Sequence, residues 1–271
     1  MPFALLYWLG IAVRNWLYDK RIFKSTPFGL PLIGVGNLSV GGTGKSPMVE
    51  YLVLALKDQF KVATLSRGYK RKTKGYALAN AETTALEIGD EPMQFHLKFP
   101  GIPVAVGEQR IEAIPQLLHD RPETQVIILD DVFQHRAIEA GLNILLTDYN
   151  NLFTRDFYLP TGDLRDLKSR YKKANIIIVT KCKPDLSEKE KQEIIEEINP
   201  VKGQHIFFTA IEYGSLYHII DHSPKIIDHN TEVLLISGIA NPRPLKKMLE
   251  EHSSSYSLMQ YSDHHIFTID D

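Results

Sequence analysis

Six consecutive residues, Gly41, Gly42, Thr43, Gly44, Lys45 and Ser46, carry the side chains and the backbone freedom needed to hold a polyphosphate. Glycines let main-chain N–H groups approach an anion, and a helix starting at their end adds a favourable field. In such a loop the Lys45 ammonium reaches the β- and γ-phosphates and the Ser46 hydroxyl sits on Mg²⁺. The context fits, with residues 32–35 apolar before the run and residues 47–56 helical in period after it. A flexible turn between strand and helix is the competing reading. The general pattern places its first glycine six residues before the lysine, where this chain has Ser39, with Gly36, Gly41 and Gly42 nearby. A nucleoside triphosphate is the expected ligand.

Acids and bases stand elsewhere in patterns that could serve it. Residues 126–129 are apolar and end in Asp130 and Asp131. A strand of this kind, running beside the loop strand, delivers a carboxylate to the metal. One acid or both could bind Mg²⁺, unless they only cap the strand in solvent. Gln134 and His135 follow as further contacts. Residues 66–71 bring three cations and Tyr69, and Arg67 could clamp a phosphate or belong to a basic turn. Asp90, before Glu91 and Pro92, could accept a proton from a hydroxyl or cap a helix. Asp263, His264 and His265 suit a carboxylate-tuned histidine for proton transfer better than a metal site, or a solvated turn.

These groups need a frame. The 271 residues suffice for one large or two ordinary α/β domains, and the single cysteine, Cys182, excludes an internal disulfide. A net charge of −2 gives no overall attraction to nucleic acid. Expected strands are 32–35, 62–66, 104–106, 126–130 and 143–147, and expected helices are 46–56, 91–98 and 109–118, the last distorted by Pro115. Thr73 to Ala79 could add a strand or hairpin arm. This alternation predicts an α/β fold, a mostly parallel sheet with helices on both faces. After a polar, aromatic loop at 149–170, strands at 176–180, 206–209 and 233–237 and a helix at 187–198, capped by Ser187 and Glu190, predict a second, smaller α/β lobe. The expected domains are 1–27, 28–150 and 151–271.

Residues 3–13 are continuously apolar and are followed by Arg14, Lys20, Arg21 and Lys24. Eleven residues are too few to span a bilayer, which takes ~20, and in a signal peptide the basic residues come first. With Tyr7, Trp8, Trp16 and Tyr18, the segment predicts an N-terminal interfacial helix. Packing on the protein's own core is the alternative.

The motifs Val-Gly-Asn-Leu-Ser-Val-Gly-Gly-Thr-Gly-Lys-Ser-Pro, Ser-Arg-Gly-Tyr-Lys-Arg, Gly-Asp-Glu-Pro, Asp-Asp-Val-Phe-Gln-His, Leu-Pro-Thr-Gly-Asp-Leu-Arg and Asp-His-His occur in that order. Together they resemble the tetraacyldisaccharide 4′-kinases, the lipid A 4′-kinase family of Gram-negative bacteria, which has Ser or Thr at the position of Ser39. The resemblance implies transfer of the ATP γ-phosphoryl group to the 4′-hydroxyl of a tetraacylated disaccharide 1-phosphate, giving lipid IV-A. It implies ATP and Mg²⁺, and docking of residues 1–24 on the cytoplasmic face of the inner membrane as a monotopic or peripheral protein. No nucleic-acid partner and no obligate protein partner is expected. The resemblance implies a P-loop NTPase-like fold whose two lobes are joined by a β-ribbon. By the same resemblance Asp90 and His264 form a catalytic dyad, Lys45 is a further catalytic residue, and His265 is the weaker match for the histidine. Ser46, Glu91, Asp130 and Asp131 manage Mg²⁺, and Arg67, Tyr69, Gln134 and His135 face phosphate or substrate. Two departures stand out. Val132 replaces the family's usual glycine, and the family continues past Asp271, so the second lobe is expected to be C-terminally incomplete.

A membrane-attached GTPase switch or metallochaperone is the rival from another class. It wants an acid two residues beyond the lysine after a strand, yet Lys181 meets its acid only at Asp185. A paired-lysine loop would also need a lysine where Val40 stands.

Overall fold

A computed structural model of the chain describes residues 2–221, 223–238, 242–253, 255–262 and 265. Two compact units divide at Ile211 and Glu212. In chain order the first contains α1 (Pro2–Asp19), β1 (Thr26–Pro27), β2 (Leu32–Asn37), α2 (Lys45–Leu56), β3 (Val62–Ser66), β4 (Ala77–Leu78), α3 (Ala85–Ile88), α4 (Asp90–Lys98), β5 (Val104–Val106), α5 (Arg110–Asp120), β6 (Val126–Asp130), β7 (Ile138–Glu139), β8 (Leu142–Asp148), a 3₁₀ helix (Lys168–Lys173), β9 (Ile176–Cys182), α6 (Glu188–Ile198) and β10 (His205–Ala210). Eight of the strands form one sheet in the order β10-β9-β8-β2-β6-β3-β5-β4. Its pairings are parallel except for β4 against β5.

Alternating side chains bury both faces of this sheet. Ile127 and Leu129 pack with Ala113, Ile114 and Leu117 of α5, while Ile128, between them, packs with Val49 and Val53 of α2 and Phe95 of α4. Farther along, Leu145, Ile177 and Val179 meet Ile194 and Ile198 of α6. Helices therefore cover both faces, and the strands read as apolar runs for that reason. Phe95 is only 1% exposed, and truncating a phenylalanine so buried costs about 3–5 kcal/mol.

The expected boundary at residue 150 differs from what the sheet does. β9, assigned from sequence to the second lobe, pairs onto β8, and β10 pairs onto β9, so both extend the first unit's sheet. Parallel β-α-β units look alike whether they extend a sheet or start one. The second unit contains the antiparallel ribbon β11 (Leu216–Tyr217) and β12 (Pro224–Lys225), then β13 (Glu232–Ser237), α7 (Arg243–His252) and β14 (Ser255–Gln260), with β13 and β14 parallel.

Local signals act as their chemistry predicts. Ser187 accepts from the Glu190 amide while the Glu190 carboxylate reaches back, closing a capping box on α6. Pro115 sits inside α5 without ending it. α1 runs 18 residues, longer than the apolar run that suggested it, and buries only Asn15. Phe3, Leu5, Leu6, Leu9, Val13 and Trp16 on it are all at least half exposed. Among the described residues no helix is long and apolar enough to cross a membrane. Polar contacts near its C-terminal end tie α1 down: Asn15 donates to Asp166 at 2.8 Å, and Arg136 donates to the Asn15 carbonyl at 2.7 Å and to Asp19 at 2.6 Å.

Candidate active site

β2 ends in Asn37, and the glycine-rich turn leads directly into α2, whose first residue is Lys45. Gly44 precedes it with φ of 85°, a left-handed conformation that a side chain would oppose. β6 lies beside β2, with Asp130 in register with Val35. The loop and the paired acids thus meet at the carboxyl edge of the sheet, where open α/β sheets bind ligands. Lys45 Nζ stands 3.7 Å from Asp131 Oδ1.

The two acids have different surroundings. Asp131 takes a left-handed backbone, φ 53°, at the end of its strand. Its carboxylate accepts from both terminal nitrogens of Arg165, Nη1 at 2.9 Å from Oδ2 and Nη2 on Oδ1. Burial would raise its pKa, but the Arg165 hydrogen bonds and charge, with Lys45, outweigh burial and hold it below the usual carboxylate value. Asp130 is buried, and its Oδ1 has no hydrogen-bond partner among the described residues. Burial first, then the Asp131 and Glu91 charges, push its pKa up to about 6 against the pull of Lys45 and Arg110. Arg110, fully buried, donates to the carbonyl of Asp130 at 3.1 Å and to that of Gly107 at 2.6 Å. It fixes the backbone that presents the acids.

A second set of contacts holds the phosphate loop itself. Asn37 donates to Thr43 Oγ1 at 2.8 Å and accepts from Arg165. Thr180 donates to the Thr43 carbonyl at 2.9 Å, and Lys181 donates to the Gly42 carbonyl and to Asp148 at 2.8 Å. Ser39, at the irregular position of the motif, donates to Asp156 at 3.2 Å. The amide of Val40 donates to the Asp163 carbonyl and that of Arg165 to the Leu38 carbonyl, both at 2.8 Å. The loop at 149–170 is therefore stitched to the phosphate loop, and a glycine at position 39 would lose the side-chain stitch.

The remaining expected residues fall in three places. Arg67 and Tyr69 follow β3, and Asp90 and Glu91 open α4. These segments touch: a Cβ on Gly89 (φ 96°) would lie 3.0 Å from the Tyr69 carbonyl, and one on Gly68 (φ 69°) 2.8 Å from the Ile88 carbonyl. Only glycine permits that approach, and it brings Arg67 and Tyr69 beside the start of α4. Gln134 donates to the Asn37 carbonyl at 2.9 Å and accepts at its own carbonyl from Arg14 at 2.7 Å. His135 is pushed down to about 4 by burial and then by the charges of Arg110, Arg67 and Arg14. His264 lies outside the described residues.

The three acids assigned to magnesium do not converge as a cage: among the described residues no group of three His, Cys, Asp or Glu side chains is arranged to hold a metal. Arg165 and Lys45 already occupy Asp131.

A family model described as tetraacyldisaccharide-1-P 4′-kinase matches residues 1–271. The chain belongs to that family. The tetraacyldisaccharide 4′-kinase of Flavobacterium johnsoniae is 47% identical over 268 residues, covering 98% of this chain and 78% of the relative. That of Bacteroides thetaiotaomicron is 42% identical over 279 residues, covering 98% and 73%. The LpxK of Aquifex aeolicus, solved in complex with ATP, superposes with a TM-score of 0.80 at 33% identity, covering 97% of this chain and 81% of that one. Within this kinase family fold, sequence reasoning missed Arg165, Asn37, Thr180 and Lys181. Arg165 closes a quoted motif, but its partner Asp131 lies 34 positions away, a distance that no local spacing rule spans.

Proposed function

We propose that this chain transfers the γ-phosphoryl group of ATP to the 4′-hydroxyl of a tetraacyldisaccharide 1-phosphate, the lipid IV-A-forming step of lipid A biosynthesis. The observation that carries the reaction type is Lys45, at the start of α2, 3.7 Å from Asp131 beside a glycine-rich loop. Family membership supplies the acceptor. Phosphoryl transfer asks for alignment and charge neutralisation more than covalent participation.

In this reading the amides of Gly41, Gly42, Thr43 and Gly44 line the phosphates and Lys45 draws charge from the β- and γ-oxygens. Asp131, gripped by Arg165, holds Lys45 in place. Mg²⁺ fits Asp130, a buried carboxylate with an unpartnered oxygen and a raised pKa that a cation would relieve. Ser46 completes the protein's share and Glu91 stands as an outer charge. Magnesium commonly takes one or two protein ligands and phosphate oxygens, and it would supply charge neutralisation there.

Asp90 accepts the proton of the 4′-hydroxyl, the oxygen bonds to the γ-phosphorus, and the bond to ADP breaks. His264 supports Asp90, and Arg67, Tyr69, Gln134 and His135 face the acceptor. The exposed apolar residues of α1 seat the chain on the cytoplasmic face of the inner membrane, where the acyl chains reside. Lys181, which a guanine-reading switch would need for its base, is engaged with the Gly42 carbonyl and Asp148.

The test is chromatographic. Vesicle-bound protein with ATP, Mg²⁺ and the acceptor should convert the monophosphate to a bisphosphate. Unchanged acceptor together with acceptor-independent GTP hydrolysis would overturn the reading.

A further inference from the structure

β9 carries a bulge near its carboxyl end. Val179 pairs with Phe208 of β10 and Cys182 with Ala210, so Thr180 and Lys181 together stand opposite Thr209. Lys181 takes φ of 57°, a left-handed backbone that lysine rarely adopts. In a regular strand two successive side chains point to opposite faces. Here both reach the phosphate loop: Thr180 Oγ1 donates to the Thr43 carbonyl at 2.9 Å, and Lys181 Nζ donates to the Gly42 carbonyl. Re-aiming a side chain beside an active site is a common use of a bulge.

β8 holds the bulge from its other side. Asp148, its last residue, accepts from Lys181 Nζ at 2.8 Å and so fixes the ammonium. The amide of Tyr149 donates to the Thr180 carbonyl at 2.9 Å. The loop also rests directly on Thr180, since a Cβ on Gly44 would lie 3.8 Å from Thr180 Cγ2.

The effect on the loop follows from its peptide planes. A trans peptide is planar, with the carbonyl of one residue directed opposite to the N–H of the next. Holding the Gly42 and Thr43 carbonyls on β9 therefore turns the Thr43 and Gly44 amides away from it, as an anion cradle requires. The Thr43 amide makes a 3.2 Å bond to the Gly41 carbonyl within the turn, and an ionised phosphate oxygen is the stronger acceptor.

We propose that the bulge at Thr180 and Lys181 positions the phosphate loop, both residues acting through the Gly42 and Thr43 peptides to set affinity for the polyphosphate chain of the nucleotide. This role rests on the ATP-dependent kinase reading above and adds two positioning residues to it.

The experiment measures competition of ATP, and of tripolyphosphate alone, against a fluorescent ATP analogue on the full chain. Lys181→Asn removes the ammonium and keeps a residue that tolerates the left-handed backbone. Thr180→Val removes the hydroxyl, and Thr180→Ser retains it. Lys181→Asn and Thr180→Val should each weaken both ligands by about tenfold, while Thr180→Ser binds as the wild type does. KM for ATP should follow the same order with KM for the acceptor unchanged, a split that general loosening of the fold would not produce. Weaker ATP with unaltered tripolyphosphate would put the side chains on the base or ribose and overturn the proposal. Equal loss in Thr180→Ser would assign the effect to packing of the methyl group, with the same consequence. If the variants bind as expected but the wild type phosphorylates no lipid acceptor, the kinase reading fails and the positioning role stands. If the lipid is phosphorylated and Lys181→Asn and Thr180→Val bind both ligands like the wild type, the positioning role fails and the kinase reading stands.

Discussion

Arg165, from the loop after β8, holds Asp131, from the end of β6, through both terminal guanidinium nitrogens, and one of them also reaches Asn37 at the end of β2. One side chain thus ties the acid strand to the loop strand. The pair is partly buried, so its geometry, more than its Coulomb energy, gives it value.

Arg165→Lys keeps the charge and loses the fork. We expect turnover to fall by about 10²-fold, because Asp131 and Lys45 lose their common register. Steady-state kinetics on purified protein checks this, and activity within twofold of wild type would remove Arg165 from the catalytic frame.

Ser39→Gly restores the general phosphate-loop pattern and should nonetheless be harmful. It removes the hydroxyl that donates to Asp156 at 3.2 Å, a loss of about 1 kcal/mol. Urea unfolding measures the stability, and KM for ATP reports the loosening of the loop. A variant as stable as wild type with tighter ATP binding would contradict the stitching role.

How much of this was legible in advance depends on the range of each interaction. Strands 62–66, 104–106 and 126–130 fall at their expected bounds, because buried parallel strands announce themselves as apolar runs. The capping box at Ser187 was equally local. The contact of Gly68 with Ile88 and the grip of Arg165 on Asp131 join segments distant in sequence, and nothing in their immediate neighbours encodes the partner. The membership of β9 and β10 in the first sheet was hidden for the same reason.

His135 provides a pH signature. Its pKa is lowered to about 4 by burial and by Arg110, Arg67 and Arg14, so between about pH 4 and the unfolded value near 6.5 the unfolded chain binds the extra proton. Stability should therefore fall as pH drops through that window, by about 1–2 kcal/mol between pH 7 and 5. Denaturation of wild type and His135→Gln at the two pH values isolates the effect. An equal loss in both proteins would show that His135 is not its source.

The exposed residues of α1 can be tested without removing the helix, whose Asn15 and Asp19 anchor it to the body. Replacing Leu5, Leu6 and Leu9 by Ser should weaken sedimentation with vesicles by about tenfold or more, since each buried leucine contributes about 1.5–3 kcal/mol. Turnover of detergent-dispersed acceptor should suffer much less than turnover of acceptor in vesicles. Undiminished vesicle binding would locate the membrane contact elsewhere.

The central claim is the transfer itself, and γ-labelled ATP tests it most directly. Incubated with Mg²⁺ and a tetraacyldisaccharide 1-phosphate, the wild type should place the label on the lipid, with a phosphorus–proton correlation at the 4′ position, while Lys45→Ala and Asp90→Ala place little or none. Label appearing only as inorganic phosphate, with the lipid unmodified, would contradict the account.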